Sequence, residues 1–280
     1  MNAAAWWQLS VQCRPEDTDA VAAAIVAATG QGVEEPEPGR LSTVLPTAVD
    51  ARALAGSLVA GFPALEAAVT EVEPVDWSVR WRDGIVTRRF GRLVVTPSWL
   101  PVVPAAGEVV LTLDPESAFG SGEHGSTRAA LALLERRLQS GHRLLDFGSG
   151  SGILAIAGAL LGAASAVGIE VDDEAIPIAE ANARRNAVTD RVTFLLGDAG
   201  EMHRLVGPVN VVCSNILRTV NVLLLPAIRE ALRPDGIAIF SGMERAEREM
   251  FLPVLEAGGW SVLEEQVDAD WWAVAARRPR

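Results

Sequence analysis

The spacing of apolar and polar positions changes character near Val72. Before that point, short runs at Trp6 to Val11, around Val33, at Leu41 to Leu45 and at Leu65 to Val72 predict strands. Two stretches of helical spacing lie among them. Pro15 to Thr29 opens on proline, carries Glu16 and Asp17 in its first turn and closes at Gly30 and Gly32. Ala51 to Ala60 ends at Gly61. The order β-α-β-β-α-β predicts a small ferredoxin-like α+β domain over 1–73, a scaffold that carries no chemistry by itself. A linker and hairpin over 74–100 follow, with a connector at Pro74 to Trp81 and a hairpin at Arg88 to Thr96 turning near Gly91-Arg92.

From residue 101 onward strands and helices alternate. A strand at Val109 to Leu113 leads into the glycine-rich Ala118 to Gly125 and a helix over Ser126 to Gln139. Strands follow at Arg143 to Asp146, Ala166 to Val171, Val192 to Leu195, Val209 to Ser214 and Gly236 to Phe240. The helices among them are Ile153 to Leu161, Glu174 to Asn186 and Val220 to Leu232. A helix at Ala246 to Ala257 and strands at Ser261 to Val267 and Trp271 to Ala276 complete the chain. Alternation of this kind predicts an α/β domain over 101–280, with a doubly wound, mainly parallel sheet, helices on both faces and an antiparallel pair at its edge.

Composition narrows the function classes. The 280 residues are 49% hydrophobic and 21% charged, a globular mixture. A net charge of −12 argues against direct nucleic-acid binding and against an anionic membrane, and suits a basic protein partner. Cys13 and Cys213 lie far apart, with neither metal-ligand spacing nor a disulfide framework, so no metal is expected. The start, Met1-Asn2-Ala3, lacks the basic and apolar stretches of a signal peptide, and no run reaches the ~18 apolar residues of a membrane helix. The expectation is a soluble cytoplasmic protein. All the basic side chains are arginine, a compositional bias that supports no functional inference.

Chemistry concentrates in the loops. Leu144-Leu145-Asp146-Phe147-Gly148-Ser149-Gly150-Ser151-Gly152-Ile153 runs an apolar strand through alternate glycines straight into a helix. Glycines there allow a tight turn and close approach of a ligand to the backbone. Ile153 breaks the dinucleotide pattern GxGxxG. Asp-x-Gly-x-Gly-x-Gly instead resembles motif I of class I S-adenosylmethionine-dependent methyltransferases. That resemblance places Gly148, Gly150 and Gly152 behind the amino-acid part of the cofactor and Asp146 near its charged groups. Glu170 ends the next strand, 22 residues after Gly148 and near the ~20 at which an acid reaches a ribose diol. Asp198, in Gly197-Asp198-Ala199, is placed to accept from an adenine amino group. Asn215 leaves the fourth strand, where its side-chain carbonyl can accept from a substrate amine and point the lone pair at the methyl group. An Asn at a strand exit is also an ordinary turn residue.

Asp114-Pro115-Glu116-Ser117-Ala118-Phe119-Gly120-Ser121-Gly122-Glu123-His124-Gly125-Ser126-Thr127, the glycine loop and Asn215-Ile216-Leu217 together resemble the ribosomal protein L-eleven (L11) methyltransferase family. The tracts Asp76 to Trp81 and Val95 to Trp99 match its interdomain region. The resemblance covers most of 76–277 well and the earlier residues loosely. By similarity Thr127, Gly148, Glu170 and Asn215 fall on cofactor positions, and Phe119 and Gly120 line the same pocket. It implies methyl transfer from S-adenosylmethionine to lysine or N-terminal amines of ribosomal protein L11, with the N-terminal domain recognising that substrate and Asn215 acting at the amine. The chain departs from the family's usual aspartate at Glu170, which still serves a ribose one methylene longer. It also departs from the usual Pro-Thr at Gly125-Ser126, where glycine predicts a looser loop.

His124 reads more readily as a local hydrogen-bonding residue than as a base, His142 and His203 as surface or turn residues, and Trp77, Trp81 and Trp99 as interdomain packing. A small-molecule methyltransferase is the first rival, and the Phe119 to Thr127 loop with the Asp76 to Trp81 linker argues against it. A non-catalytic binding module is the second. Its mark would be lost glycines or a lost acid, and Gly148, Gly150, Gly152 and Glu170 are all present.

Overall fold

The structure, a computed structural model, describes residues 6–30, 32–72, 85–114 and 124–279. The connector Pro74 to Trp81, and Phe119 and Gly120 with their neighbours, lie outside the described residues. The chain forms two compact units, Met1–Asp83 and Gly84–Arg280.

The first unit contains β1 (Trp6–Gln12), α1 (Thr18–Thr29), β2 (Glu34–Glu37), β3 (Arg40–Leu45), α2 (Ala48–Gly61) and β4 (Glu66–Val72). Its sheet has the order β2-β3-β1-β4 with neighbouring strands antiparallel, which is ferredoxin-like. Proline and acids start the first helix as expected, but Pro15–Asp17 form a separate 3-10 turn before it. Gly30 ends α1 in the left-handed conformation at φ 66°. Thr47 caps α2 by accepting from the Asp50 amide. Leu9, Val11, Leu41 and Leu45 of the sheet meet Val21, Ile25, Leu54 and Leu58 of the helices in a core of their own.

In the second unit the hairpin β5 (Arg88–Phe90) and β6 (Leu93–Thr96) joins β7 (Val109–Thr112) in a three-stranded sheet. Then follow α3 (Gly125–Arg137), β8 (Arg143–Phe147), α4 (Ile153–Leu160), β9 (Ser165–Glu170), α5 (Ala175–Arg185), β10 (Val192–Leu196), α6 (Ala199–Val206), β11 (Val209–Asn215), α7 (Arg218–Ala231), β12 (Leu232–Glu244), α8 (Arg248–Ala257), β13 (Ser261–Asp268) and β14 (Trp271–Arg277). The large sheet has the order β10-β9-β8-β11-β12-β14-β13. Its first five strands run parallel and the last two add antiparallel. Leu144, Cys213 and Ile239 face a core with α3, α4 and α5, while Leu145, Val212 and Phe240 face one with α6, α7 and α8. The sheet is therefore doubly wound. The sequence pattern does not predict α6: Ala199–Val206 mixes a glycine with polar residues and buries only Ala199 and His203, whereas the equally short α4 is apolar along its length.

Candidate cofactor and amine site

Strand order reverses between β8 and β11, since β9 lies on one side of β8 and β11 on the other. Ligands of open α/β sheets settle at the carboxyl ends of the strands flanking such a switch point. Register sets what meets there. Cys213 pairs with Asp146 and Ser214 with Phe147, so β8 and β11 leave the sheet side by side as Gly148 and Asn215. Phe147 pairs with Ile169 and Glu170 with Leu196, which brings Glu170 and the Gly197-Asp198 turn into the same row. Amides of Gly148 and Ser149 donate to Ile169 O, and that of Gly197 to Glu170 O. Asp198, Glu170, the glycine loop and Asn215 therefore lie on adjacent strand ends.

The loop's glycines are left-handed, with φ of 71° at Gly148, 48° at Gly150 and 79° at Gly152, the last standing as N-cap of α4. A β-carbon at Gly148 would also fall 2.8 Å from Ile216 Cγ2, so this residue needs glycine for both conformation and space. Asp146 lies 1% exposed, on the same face as Cys213. Among the described residues neither of its carboxyl oxygens makes a hydrogen bond of good geometry, the Ala155 amide of α4 being a weak donor to it. Burial, reinforced by Glu170, pushes its carboxyl well above the usual carboxylate range, and the Ala155 amide of α4 only partly opposes this. Burial and Asp146 in turn push the Cys213 thiol up. Glu170 accepts from the Gly150 amide at 2.7 Å through Oε2, and from the Val171 and Asp172 amides at 2.8 and 3.1 Å through Oε1. Asp198 caps α6 by accepting from the Gly200 amide at 2.7 Å, a role that its place before an Ala-Gly-Glu run foreshadowed.

Asn215 is 9% exposed, and its Nδ2 donates to Thr127 Oγ1 at 3.1 Å while Oδ1 has no partner among the described residues. Residues 88 positions apart in sequence are thereby joined. Thr127 stands in the first turn of α3, which packs across β12, β14 and β13. His124 contacts Ser126 Oγ through Nδ1 at 2.8 Å and lies 4.2 Å from the Trp271 ring, a local structural role. Burial and then Arg128 hold its pKa below the ordinary histidine value. The loop end at Gly125 is not loose as expected: Gly125 is buried, and a β-carbon there would fall 2.5 Å from Trp271 Cδ1. Trp271 fills that space, and a paired Arg128–Asp268 bridge fastens α3 to the end of β13. His203 is also corrected. It is buried on α6, with its ring 6.2 Å from Phe147.

Sequence reasoning passed over Ser149, whose hydroxyl is buried without a partner among the described residues, and Trp271. Serine inside the glycine run was the available signal for the first. The second is visible only across the fold. Orphaned acceptors at Asp146 and Asn215, each costing about 1–3 kcal/mol if left unmade, fit a ligand that brings ammonium and amine donors. The glycine loop and the positive end of α4 fit its carboxylate, and Glu170 its diol. Among the described residues no cluster suits a metal ion, and no helix is long and apolar enough to cross a membrane.

This strand order, glycine loop and row of acids define a class I S-adenosylmethionine-dependent methyltransferase fold. The family described as Ribosomal protein L11 methyltransferase (PrmA) matches residues 47–279. A ribosomal protein L11 methyltransferase of Chloroflexus aurantiacus is 36% identical over 228 residues, covering 73% of this chain and 70% of its own. One from Pelotomaculum thermopropionicum is 36% identical over 216 residues, covering 77% and 70%. The crystal structure of a ribosomal protein L11 methylase from Lactobacillus delbrueckii subsp. bulgaricus superposes with TM-score 0.60 at 27% identity, over 69% of this chain and 99% of that one. The chain belongs to the ribosomal protein L11 methyltransferase family.

Proposed function

We propose that this protein transfers methyl groups from S-adenosylmethionine to amino groups of ribosomal protein L11, on lysine side chains, the N-terminal amine or both. The observation that carries the reading is Asn215 Oδ1, a buried acceptor without a partner among the described residues, at the mouth of the glycine loop. Bound there, the cofactor supplies a methyl group made electrophilic by its sulfonium.

The rest of the work falls to the chain. Gly148, Gly150 and Gly152 admit the amino-acid end to the backbone, and Asp146 faces its ammonium. Glu170 accepts from the ribose hydroxyls and Asp198 from the adenine amine. Thr127 holds the Asn215 amide so that Oδ1 faces the incoming amine. Phe119 and Gly120, outside the described residues, complete this assignment by resemblance. A lysine with pKa ~10.4 is neutral about once in 2,500 molecules at pH 7. Asn215 therefore accepts from the neutral amine and directs its lone pair, while burial disfavours the ammonium. The N-terminal unit is assigned to recognition of the substrate protein, and a ribosomal substrate is the support for a cytoplasmic location.

The test combines the full chain with labelled S-adenosylmethionine and purified ribosomal protein L11, followed by mass mapping of the product. Label on lysine or N-terminal nitrogen supports the proposal. An unlabelled L11 alongside a labelled small molecule from a protein-free extract overturns it.

A further inference from the structure

Asn221 is a polar residue with 0% exposure on the inner side of α7. Its side chain is fully used. Oδ1 accepts from Ser214 Oγ at 2.7 Å, and Nδ2 donates to Ile216 O at 2.9 Å and Ser241 O at 3.0 Å. Ser214 and Ile216 are the chain neighbours of Asn215, so one amide grips the strand exit on both sides of the proposed amine acceptor. Ser241, paired with Asn215 across the sheet, donates through Oγ to Ser126 O at 2.8 Å, beside Thr127. Both partners of the Asn215–Thr127 bond are thus tied one residue away from the bond itself.

The surrounding backbone is shaped for this arrangement. Gly242 has φ 81°, and a β-carbon there would fall 2.3 Å from Ile216 O and 2.6 Å from Ile216 N. The Ile216 peptide therefore lies flat against β12, while its Cγ2 reaches over Gly148. An asparagine buried in an otherwise apolar face is stable only if all its groups are paired, and such a satisfied network holds its members to one geometry.

We propose that Asn221 is a positioning residue for methyl transfer, acting through Asn215 by fixing the Ser214–Ile216 turn. Among the described residues none of its hydrogen bonds goes to the glycine loop or to the acids at the strand ends. The inference rests on the reading of Asn215 as the residue that orients the amine. Asn221→Ala is expected to lower turnover at saturating S-adenosylmethionine by about tenfold, the effect of one displaced hydrogen bond at the transition state. The cofactor Kd should stay within about threefold. In an Asn215→Ala background the same change should cost less than about twofold, because residues acting as one unit are not additive.

Turnover of L11 and cofactor Kd are measured for the wild type, Asn215→Ala, Asn221→Ala and the double variant, with folding checked by circular dichroism. Ser214→Ala, which removes only the bond that orients the Asn221 amide, replaces Asn221→Ala if the latter does not fold, with a smaller loss of about threefold expected. Full turnover by the folded position-221 or position-214 variant, with Asn215→Ala slow, overturns the positioning role alone. So does a loss that persists undiminished without the Asn215 amide. Full turnover by Asn215→Ala overturns the underlying reading as well.

Discussion

Glu170 has three backbone amides on its carboxylate before any diol arrives, one of them from the glycine loop itself. Its side chain therefore ties the glycine loop to the end of β9. Removing it should weaken S-adenosylmethionine binding by about 1.5–3 kcal/mol, the range for a hydrogen bond to a charged group. Contacts made equally in the ground and transition states leave the saturated rate nearly unchanged. Asn215→Ala should do the reverse, lowering saturated turnover more than affinity, because the proposed role of its unpaired acceptor is to face the amine. Calorimetric Kd and saturated turnover for the two variants decide the assignment: normal binding by Glu170→Ala, or normal turnover by Asn215→Ala, removes the respective role. Asp146 adds a pH dependence. Its carboxyl is raised in the free protein, chiefly by burial and also by Glu170, so the folded chain keeps a proton that the unfolded chain loses above about pH 4. That contribution to stability declines as pH rises from there towards the folded-state pKa. A cofactor ammonium favours the carboxylate, so binding should strengthen with rising pH below that pKa, by at most about tenfold per unit. Titrations at successively higher pH from about 4 upward should show the slope in the wild type and lose it in Asp146→Asn; an identical slope in both excludes Asp146 as its source.

Elements were readable from sequence where periodicity and end signals agreed. The ferredoxin-like order, the parallel strands and the acids at their ends all follow from local pattern, because a strand exit is marked by the residue that leaves it. What escaped depended on packing between distant segments. Helix α6 mixes a glycine with polar residues and buries only Ala199 and His203, although Asp198 before Ala199 gave it a cap. The first turn of α3 is a stronger case. Sequence alone makes Gly125 a point of slack, whereas in the fold it is the gap that Trp271, 146 residues later, occupies. Nothing near Gly125 announces that partner. Alanine at position 125 would gain at most about 1 kcal/mol in helix propensity. Against this, its β-carbon would fall 2.5 Å from Trp271 Cδ1 and 3.0 Å from the Asp268 carbonyl, part of the backbone and not free to swing away. Overpacking of that kind costs about 1–3 kcal/mol, so Gly125→Ala should be destabilising on balance. Denaturant melts of Gly125→Ala, Trp271→Ala and the double variant test this. The double variant should lose less than the sum of the single losses, and strict additivity would mean that the contact does not govern the turn.

Across the whole molecule, chemistry and charge are divided unequally. Every described residue assigned to cofactor or amine, from Thr127 to Asn215, belongs to the unit Gly84–Arg280, whose two cores are formed by its own residues. The unit Met1–Asp83 has a separate core, built from Leu9, Val21, Ile25 and their neighbours. It holds twelve acidic and five basic residues, so more than half of the net charge of −12 sits in under a third of the chain. Such a field attracts a basic protein and speeds its encounter, in a manner that salt suppresses. If recognition resides there, the two units should fail separately. A fragment spanning Gly84–Arg280 should bind S-adenosylmethionine with a Kd within about threefold of the full chain, since a hydrogen bond lost to the cofactor would cost more than that. Its methylation of ribosomal protein L11 should fall steeply, while the same activity in the full chain should weaken as salt shortens the reach of the acidic unit from ~10 Å at 0.1 M to ~3 Å at 1 M. Calorimetry on the fragment, alongside label transfer to L11 across a salt series, measures both. A soluble fragment that binds cofactor and methylates L11 at the full rate would place recognition in the catalytic unit. A fragment unable to bind cofactor while folded would show instead that residues before Gly84 belong to the site.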